Sequence, residues 1–210
     1  LAAATVFDLW HFLYEERVAS QPKDAADLLV RGFGVALLER AAMDALCRLE
    51  KISFHEALLS NAFGFNPGQI HSQLQGWNLS QSLAAQPAHS IYLRHTIGLV
   101  DALTQAELAD KDDPRDGLPT SLEEDIEKFG LRWFKIKING QGPADVQRLL
   151  GIAAVLKKCG VQNPQFTIDG NEQFPDMDAL ADVLEAVAAQ AEGADFLNGL
   201  AFIEQPLSRQ

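Results

Sequence analysis

The sequence of 210 residues is poor in cysteine, in cationic side chains and in long apolar runs. Cys47 and Cys159 stand in no pairing motif, so we expect no disulfide framework and a reduced, cytoplasmic setting. No apolar run reaches spanning length and no signal peptide opens the chain, so we expect no membrane anchor. Only 17 lysines and arginines stand against 29 acidic residues, and the net charge of −12 disfavours nucleic acid or an anionic membrane surface as a partner.

Two kinds of binding motif are also missing. Gly32 and Gly34 have no third glycine at the spacing of a dinucleotide-binding loop, and no strand-like run precedes them. The histidines between residues 55 and 95 lack metal-ligand spacing. The charges of the acidic stretch from Glu107 to Asp116 alternate in sign, which favours a solvated loop over a metal site.

Apolar residues, by contrast, are abundant. They make up 47% of the sequence, which predicts a globular protein with a hydrophobic core.

The stretch from Leu131 to Asn139 reads as a buried β-strand that contains two lysines. Because strand side chains alternate between faces, Lys135 and Lys137 share one face, roughly 7 Å apart. The opposite face is apolar and carries Phe134, Ile136 and Ile138. A buried ammonium group without a partner is costly, so this strand predicts anions close to both lysines.

Two further strand-like runs each end at a carboxylate. The run 165–172 stops at Asp169 and a glycine, and the run 200–206 stops at Glu204 shortly before a proline. Helix-like segments separate the three runs: 143–159 begins with a proline and is followed by a glycine, and 177–191 is rich in alanine.

This order of strands and helices predicts a parallel sheet. Including a first strand that begins at Ser90, we expect strands at about 90–97, 132–138, 165–169 and 200–204 to be parallel neighbours in chain order. A mainly helical region is expected before residue 60. Because active groups of such sheets gather at the carboxyl ends of the strands, the lysines and both carboxylates should lie close together.

The motifs on these strands resemble those of the enolase superfamily, in particular its mandelate racemase and muconate lactonizing enzyme branches. The resemblance lies in Lys135-Ile136-Lys137, in Ile168-Asp169-Gly170-Asn171 and in Ile203-Glu204-Gln205-Pro206-Leu207, in that order and on successive strands. The spacing from Asp169 to Glu204 is longer than is usual for the family, and the excess falls in residues 189–195. We interpret that segment as a surface insertion.

The resemblance implies an α/β fold in which the chain holds the first four parallel strands of a (β/α)-barrel, preceded by helices of an α+β capping domain. The implied organisation is a helical part of the capping domain over residues 1–60, a connection over 61–89, and the first half of a TIM-type barrel domain over 90–210. The family's third carboxylate ligand, second acid or base and opening β-meander are expected in other parts of a longer protein, so the present chain alone is expected to be incomplete.

The implied chemistry is Mg²⁺-dependent abstraction of the proton alpha to a substrate carboxylate. Asp169 and Glu204 offer the hard oxygen ligands that Mg²⁺ prefers. By resemblance, Lys137 is the base and Lys135 its electrostatic neighbour; crowding by Lys135 and partial desolvation are expected to lower the pKa of Lys137. Asn171, in the matching position, is implied to support the metal ligands or to bind the substrate.

Several outcomes and alternatives remain open at this stage. Racemisation or epimerisation, dehydration and cycloisomerisation share this first step, so the resemblance implies a lyase or an isomerase that acts on a small-molecule carboxylate. Assembly of the protein into a homo-oligomer is a further open alternative. One alternative is a barrel aldolase in which Lys137 forms a Schiff base, which borohydride trapping would reveal. Another is a non-catalytic scaffold or interaction module that retains only part of the site.

Overall fold

The computed structural model of the chain describes residues 3–20, 25–108 and 116–208, with the backbone alone for residues 25–29. Most of the acidic stretch 107–116 lies outside the described residues. The chain divides into two compact units, Leu1–Ser90 and Ile91–Gln210. Among the helices of the described ranges, none combines the length and the apolar character needed to cross a membrane.

The first unit is mainly helical up to residue 60, as predicted. Helix α1 (Val6–Tyr14) begins at Thr5, whose hydroxyl accepts the Asp8 N–H at 3.0 Å, and a single π-helical turn follows it. Two further helices are α2 (Ala25–Glu50) and α3 (Phe54–Leu59). Short 3₁₀ turns then occupy Pro67–Gln69, Ser72–Leu74 and Leu79–Gln81.

The second unit contains a sheet of four parallel strands in chain order, which confirms the predicted α/β class and strand order. The strands are β1 (Arg94–Ile97), β2 (Trp133–Lys137), β3 (Gln165–Asp169) and β4 (Leu200–Glu204). Strand β1 is shorter than predicted, because its pairing with β2 begins only at Arg94 opposite Trp133.

Four helices accompany this sheet: α4 (Leu122–Phe129), α5 (Pro143–Lys158), α6 (Met177–Ala188) and α7 (Ala191–Leu197). One face of the sheet and the helices bury a single apolar cluster, in which Phe134, Ile136 and Ile138 of the lysine strand are fully buried. The alternation predicted for this strand is therefore confirmed: its apolar side chains enter the core, and its lysines lie on the other face.

The segment interpreted as a surface insertion, residues 189–195, is exposed except at Gly193, and from residue 191 onward it forms the start of a short helix. Helix α6 ends at Ala188, and α7 follows within three residues. Phe196 of α7 is buried and stacks on Phe166 of β3 with ring centroids 4.1 Å apart. Large buried aromatic rings contribute substantially to core stability, so this contact, directly after the exposed segment, fixes α7 against β3.

Strand register determines which side chains meet. Lys137 lies opposite Asp169, and Asp169 lies opposite Glu204, so the last residues of three adjacent strands form one row. Lys135 lies two rows nearer the amino ends, opposite Thr167 on one side and Thr96 on the other. Because residues directly opposite each other in a sheet point to the same face, the lysines and the carboxylates share a face.

Candidate functional site

The candidate site is a cluster of ion pairs at the carboxyl ends of β2, β3 and β4. The Lys135 Nζ lies 2.8 Å from Asp169 Oδ2 and 2.6 Å from Glu204 Oε2. The Lys137 Nζ lies 2.9 Å from the same Asp169 oxygen. The structure thus supplies the anions that the two lysines of the strand predicted, and it brings all four charged side chains into one connected group.

Asp169 is the centre of this group. Its side chain is 4% exposed, and one carboxylate oxygen bridges both ammonium groups. Besides the crowding by Lys135 that the sequence predicts, Lys137 has the Asp169 carboxylate in direct contact, and this carboxylate contacts both lysines. The electrostatic environment of Lys137 therefore includes a negative charge at hydrogen-bond distance.

Asn171 completes the cluster on the side of Lys137. Its side-chain oxygen accepts a hydrogen bond from the Lys137 ammonium at 2.6 Å, and its backbone N–H donates to Asp169 Oδ1 at 2.9 Å. The side-chain amide also donates to the Asp169 carbonyl at 3.3 Å. Asn171 thus contacts both Lys137 and Asp169.

The contacts shift the protonation equilibria of two members. Burial alone raises the pKa of the Asp169 carboxyl, but hydrogen bonds from Lys135, Lys137 and the Asn171 N–H outweigh it and lower the pKa to about 2. Hydrogen bonds to Asp169 and then to Glu204 raise the pKa of Lys135 against the opposing effect of its burial. Near neutral pH, Asp169 is therefore an anion and Lys135 a cation.

The loops that follow β3 and β4 hold this arrangement with unusual backbone conformations. Asn171, Glu172 and Gln205 have φ angles of 48°, 61° and 41°, in the left-handed region that costs a non-glycine residue on the order of 1 kcal/mol or more. The Glu172 N–H donates to the Gln205 carbonyl at 2.7 Å, which ties the two loops together. Such strained residues concentrate at functional sites, where surrounding contacts hold them.

The glycine of the Asp-Gly motif is required by close packing of the same loops. A Cβ atom at Gly170 would lie 2.8 Å from the Cα of Pro206, too close for any larger residue without movement of the backbone. The Gly170 N–H also donates to the Glu204 carbonyl at 3.0 Å. The motif therefore brings the β3 and β4 loops together and keeps the two carboxylates adjacent.

Two arginines of the second unit, Arg94 and Arg148, were not predicted from the sequence to have a role. Arg94 of β1 donates to the buried Thr167 hydroxyl at 3.1 Å, in the row of Lys135. Arg148 of α5 donates to the carbonyls of Gly98 and Asp101, at 2.6 and 2.8 Å, in the loop after β1. The alternation of β1 would have placed Arg94 on the lysine face, whereas the contacts of Arg148 join residues about 50 positions apart and leave no local pattern.

Asp145, on the first turn of α5, was also missed. Its carboxylate is 3% exposed and accepts the N–H groups of Asn139 and Gln141, at 3.0 and 2.8 Å. Both donors belong to the loop that leaves β2 immediately after Lys137. An acidic residue two positions after Pro143 is the signal that was available, since carboxylates at helix starts accept free backbone N–H groups.

The donor set fits a Mg²⁺ site in part. Two hard carboxylate ligands, Asp169 and Glu204, converge on one cationic group, the Lys135 ammonium. Within the described ranges, however, no group of three or more histidine, cysteine, aspartate or glutamate side chains is placed to hold a metal ion. The cluster therefore offers two of the three carboxylates that the resemblance requires.

Chemically, the cluster combines three features: Lys137 at the carboxyl end of β2, Lys135 two residues earlier and held as a cation, and two carboxylates able to share a bound cation. Lys137 is the more exposed of the two lysines, at 28% against 16% for Lys135. These features suit proton transfer next to an anionic substrate group.

Comparisons with protein-family models, with curated proteins and with solved structures found no match to this chain.

Proposed function

We propose that this chain contributes the catalytic strands of a (β/α)-barrel enzyme that uses Mg²⁺ and removes the proton alpha to a substrate carboxylate. The observation that carries the proposal is the cluster of Lys135, Lys137, Asp169 and Glu204 at the carboxyl ends of three adjacent parallel strands. Parallel strands joined in chain order through helices suit the first half of a barrel, whose active groups lie at this end. The motifs that resemble the enolase superfamily support the same assignment.

In this proposal Lys137 takes the proton. Its ammonium is nearer to solvent than that of Lys135, and a base must reach the substrate. Lys137 has to release one ammonium proton before its nitrogen can accept the substrate proton, and the neutral amine keeps two N–H groups for its hydrogen bonds to Asp169 and Asn171.

Lys135 remains cationic, because its two carboxylate contacts raise its pKa. Its positive charge favours the negative charge that develops on the substrate. Asp169 and Glu204 would hold Mg²⁺ together with further ligands, and the bound ion would supply additional positive charge at the substrate carboxylate. Racemisation, epimerisation, dehydration and cycloisomerisation can all follow this first step.

The test is exchange of the substrate's α-proton for deuterium by the full-length protein, measured by NMR in D₂O with Mg²⁺ across a panel of small carboxylic acids. Lys137→Ala should lower the exchange rate by about 10²–10⁴, the usual loss when a general base is removed. Lys157→Ala is the matched control, because Lys157 also pairs with a carboxylate but lies exposed on α5. Full exchange in the Lys137→Ala protein would overturn the assignment.

Metal binding tests the carboxylates separately. Calorimetry should show Mg²⁺ binding that Asp169→Ala and Glu204→Ala each weaken, while Glu192→Ala, a change to an exposed carboxylate, leaves it unaltered. We expect weak binding to the chain as it stands, since two carboxylates form an incomplete site. Unchanged affinity in both site variants would remove Mg²⁺ from the proposal.

One observation favours a different role, that of a structural ion-pair cluster in a non-catalytic scaffold. Lys135, Lys137, Asp169 and Glu204 all have partners of opposite charge within the cluster, so their charges are balanced without a ligand. A scaffold would show no α-proton exchange with any acid in the panel. The same screen therefore separates the two functions.

A further inference from the structure

The buried carboxylate of Asp145 is connected to Lys137 through two loops. The connection begins in the loop after β2, where Asn139 and Gln141 both donate their backbone N–H groups to this carboxylate. The residue between them, Gly140, is thereby held from both sides. Asp145 lies at the start of α5, where the free N–H groups of the helix also favour a negative charge.

Gly140 carries the connection into the loop after β3. It has a left-handed φ of 73°, and a Cβ atom there would lie 2.6 Å from the carbonyl oxygen of Gln173. The two loops are therefore packed backbone against backbone, with room only for glycine. A rotation of the loop after β2 would move Gly140 against Gln173 and displace the second loop.

Gln173 and Asn171 complete the connection. The Gln173 side-chain amide donates to the Asn171 carbonyl at 3.0 Å. The Asn171 side chain then accepts the 2.6 Å hydrogen bond from Lys137. Asn171 has a left-handed φ of 48°, which asparagine tolerates better than most residues, and the Gln173 contact helps to hold this conformation.

We propose that Asp145 is a positioning residue for Lys137: by fixing the loop after β2 it fixes the loop after β3, and through Asn171 it sets the position of the Lys137 nitrogen. Asp145 contacts neither Lys137 nor the carboxylates in the hydrogen bonds described, so it acts through the loops alone. Only the expected effect of Asp145 on catalysis rests on the proposed function. The expected effect of Asp145 on the position of the Lys137 nitrogen does not depend on what the protein does.

A carboxylate suits this role better than an amide. Each Asp145 oxygen accepts one N–H group, and the two donors flank Gly140. In Asp145→Asn one oxygen becomes an NH₂ group, which cannot accept, so one of the two N–H groups loses its partner. The substitution keeps the size of the side chain and should release one side of the loop.

The direct test is NMR of the ¹⁵N-labelled lysine Nζ groups, with the Lys137 signal assigned by its loss in Lys137→Arg. In Asp145→Asn the Lys137 signal should shift, while that of the exposed Lys157 stays in place. Asp176→Asn is the matched control, because Asp176 also accepts a backbone N–H at a helix start, from Ala179 at 2.8 Å, but it contacts neither loop residue in the connection. A Lys137 signal unmoved in folded Asp145→Asn would overturn the proposal.

A second variant covers the case in which Asp145→Asn does not fold. Gln173→Ala removes the next link, and since this side chain is exposed the fold should survive. The Lys137 signal should shift here too, by less than in Asp145→Asn, because the packing of Gly140 against the Gln173 backbone remains. An unmoved signal in Gln173→Ala, with Asp145→Asn unfolded, would also overturn the proposal.

The catalytic readout comes from the same exchange assay. Asp145→Asn should lower kcat by about 10- to 100-fold with little change in KM, because small displacements of a reacting group slow the chemical step more than substrate binding. An unchanged kcat in this variant would overturn the positioning role. Failure of the proposed function looks different: the wild-type protein would show no exchange, while the Lys137 signal would still respond to Asp145.

Discussion

The two faces of β2 differ in how their side chains are held. On one face, Phe134 and Ile136 are fully buried in the apolar core, where contacts are numerous and need no particular orientation. On the other, Lys135 and Lys137 are fixed by directional bonds of 2.6–2.9 Å to two carboxylates and an amide. A single strand thus has one face whose packing stabilises the fold and another whose geometry suits chemistry.

This difference means that substitutions on the two faces should separate in their effects. Loss of a core side chain should lower stability and leave the charged cluster intact in the protein that still folds. Loss of a charged side chain should change binding and reaction more than folding. Three stability measurements test this difference between the two faces.

The largest expected effect on stability is that of Phe134→Ala. Truncation of a fully buried phenylalanine leaves a cavity in the core and should lower the free energy of unfolding by about 3–5 kcal/mol, measured by denaturant titration. The control is Phe129→Ala at the end of α4, where the side chain is 53% exposed and the loss should stay near 0.5 kcal/mol. A similar decrease in the free energy of unfolding in the two variants would show that burial of the apolar face of β2 is not a main source of stability.

The contrast between the faces was visible in the sequence, and so was the parallel sheet. Alternation around Lys135 and Lys137 predicted the two faces, and the strand-like runs that stop at Asp169 and Glu204 predicted the row of charges. Both signals are local, because each depends on residues within one strand. The closed barrel, by contrast, stays a proposal, since four strands in order fit a barrel and an open sheet alike.

Other features were not predictable because they depend on contacts between distant residues. Helix α7 is anchored by Phe196 on Phe166, thirty positions earlier, and its sequence around Gly193 gave no clear helical pattern. The acidic position at the start of α5 was visible in the sequence, but its partners in the loop after β2 were not, because backbone N–H groups carry no sequence signal. The left-handed conformation of Asn171 likewise follows from the neighbouring loop and not from its own residue type alone.

The second measurement is the pH dependence of the free energy of unfolding, to which the charged face contributes through Asp169. The pKa of Asp169 is about 2 in the folded protein, below its ordinary value of 3.8, so the ionised carboxylate stabilises the fold. This contribution, on the order of 2 kcal/mol, is complete above about pH 5 and disappears as the pH falls through 3.8 towards 2.

Asp169→Asn isolates that contribution. The wild-type protein should exceed this variant in free energy of unfolding by the largest amount near pH 5. Near pH 2 the difference should be about 2 kcal/mol smaller, because Asp169 is then protonated in the unfolded chain and about half protonated in the folded one. Denaturant titrations at several pH values measure the difference. A gap between the two proteins that does not change with pH would show that the ion pairs of Asp169 do not stabilise the fold.

The smallest expected effect is the coupling between Lys135 and Glu204. A double-mutant cycle with Lys135→Met and Glu204→Gln should give an interaction energy of about 1 kcal/mol, because the pair is close but partly solvated. The Lys157 and Glu192 pair on the surface is the control, measured with the same substitutions. Its two side chains are well exposed, so a rise in salt from about 0.1 to 1 M, which shortens the screening length from about 10 to 3 Å, should abolish its coupling.

Salt should weaken the Lys135 and Glu204 coupling less. The Lys135 side chain is largely enclosed, and its ammonium also contacts Asp169, so mobile ions have little access to the space between the charges. Equal salt sensitivity of the two pairs would mean that the lysine face behaves like an ordinary solvated surface. A salt-resistant coupling would instead show that this face holds its charges in a preorganised arrangement, which is the property that a site for proton transfer requires.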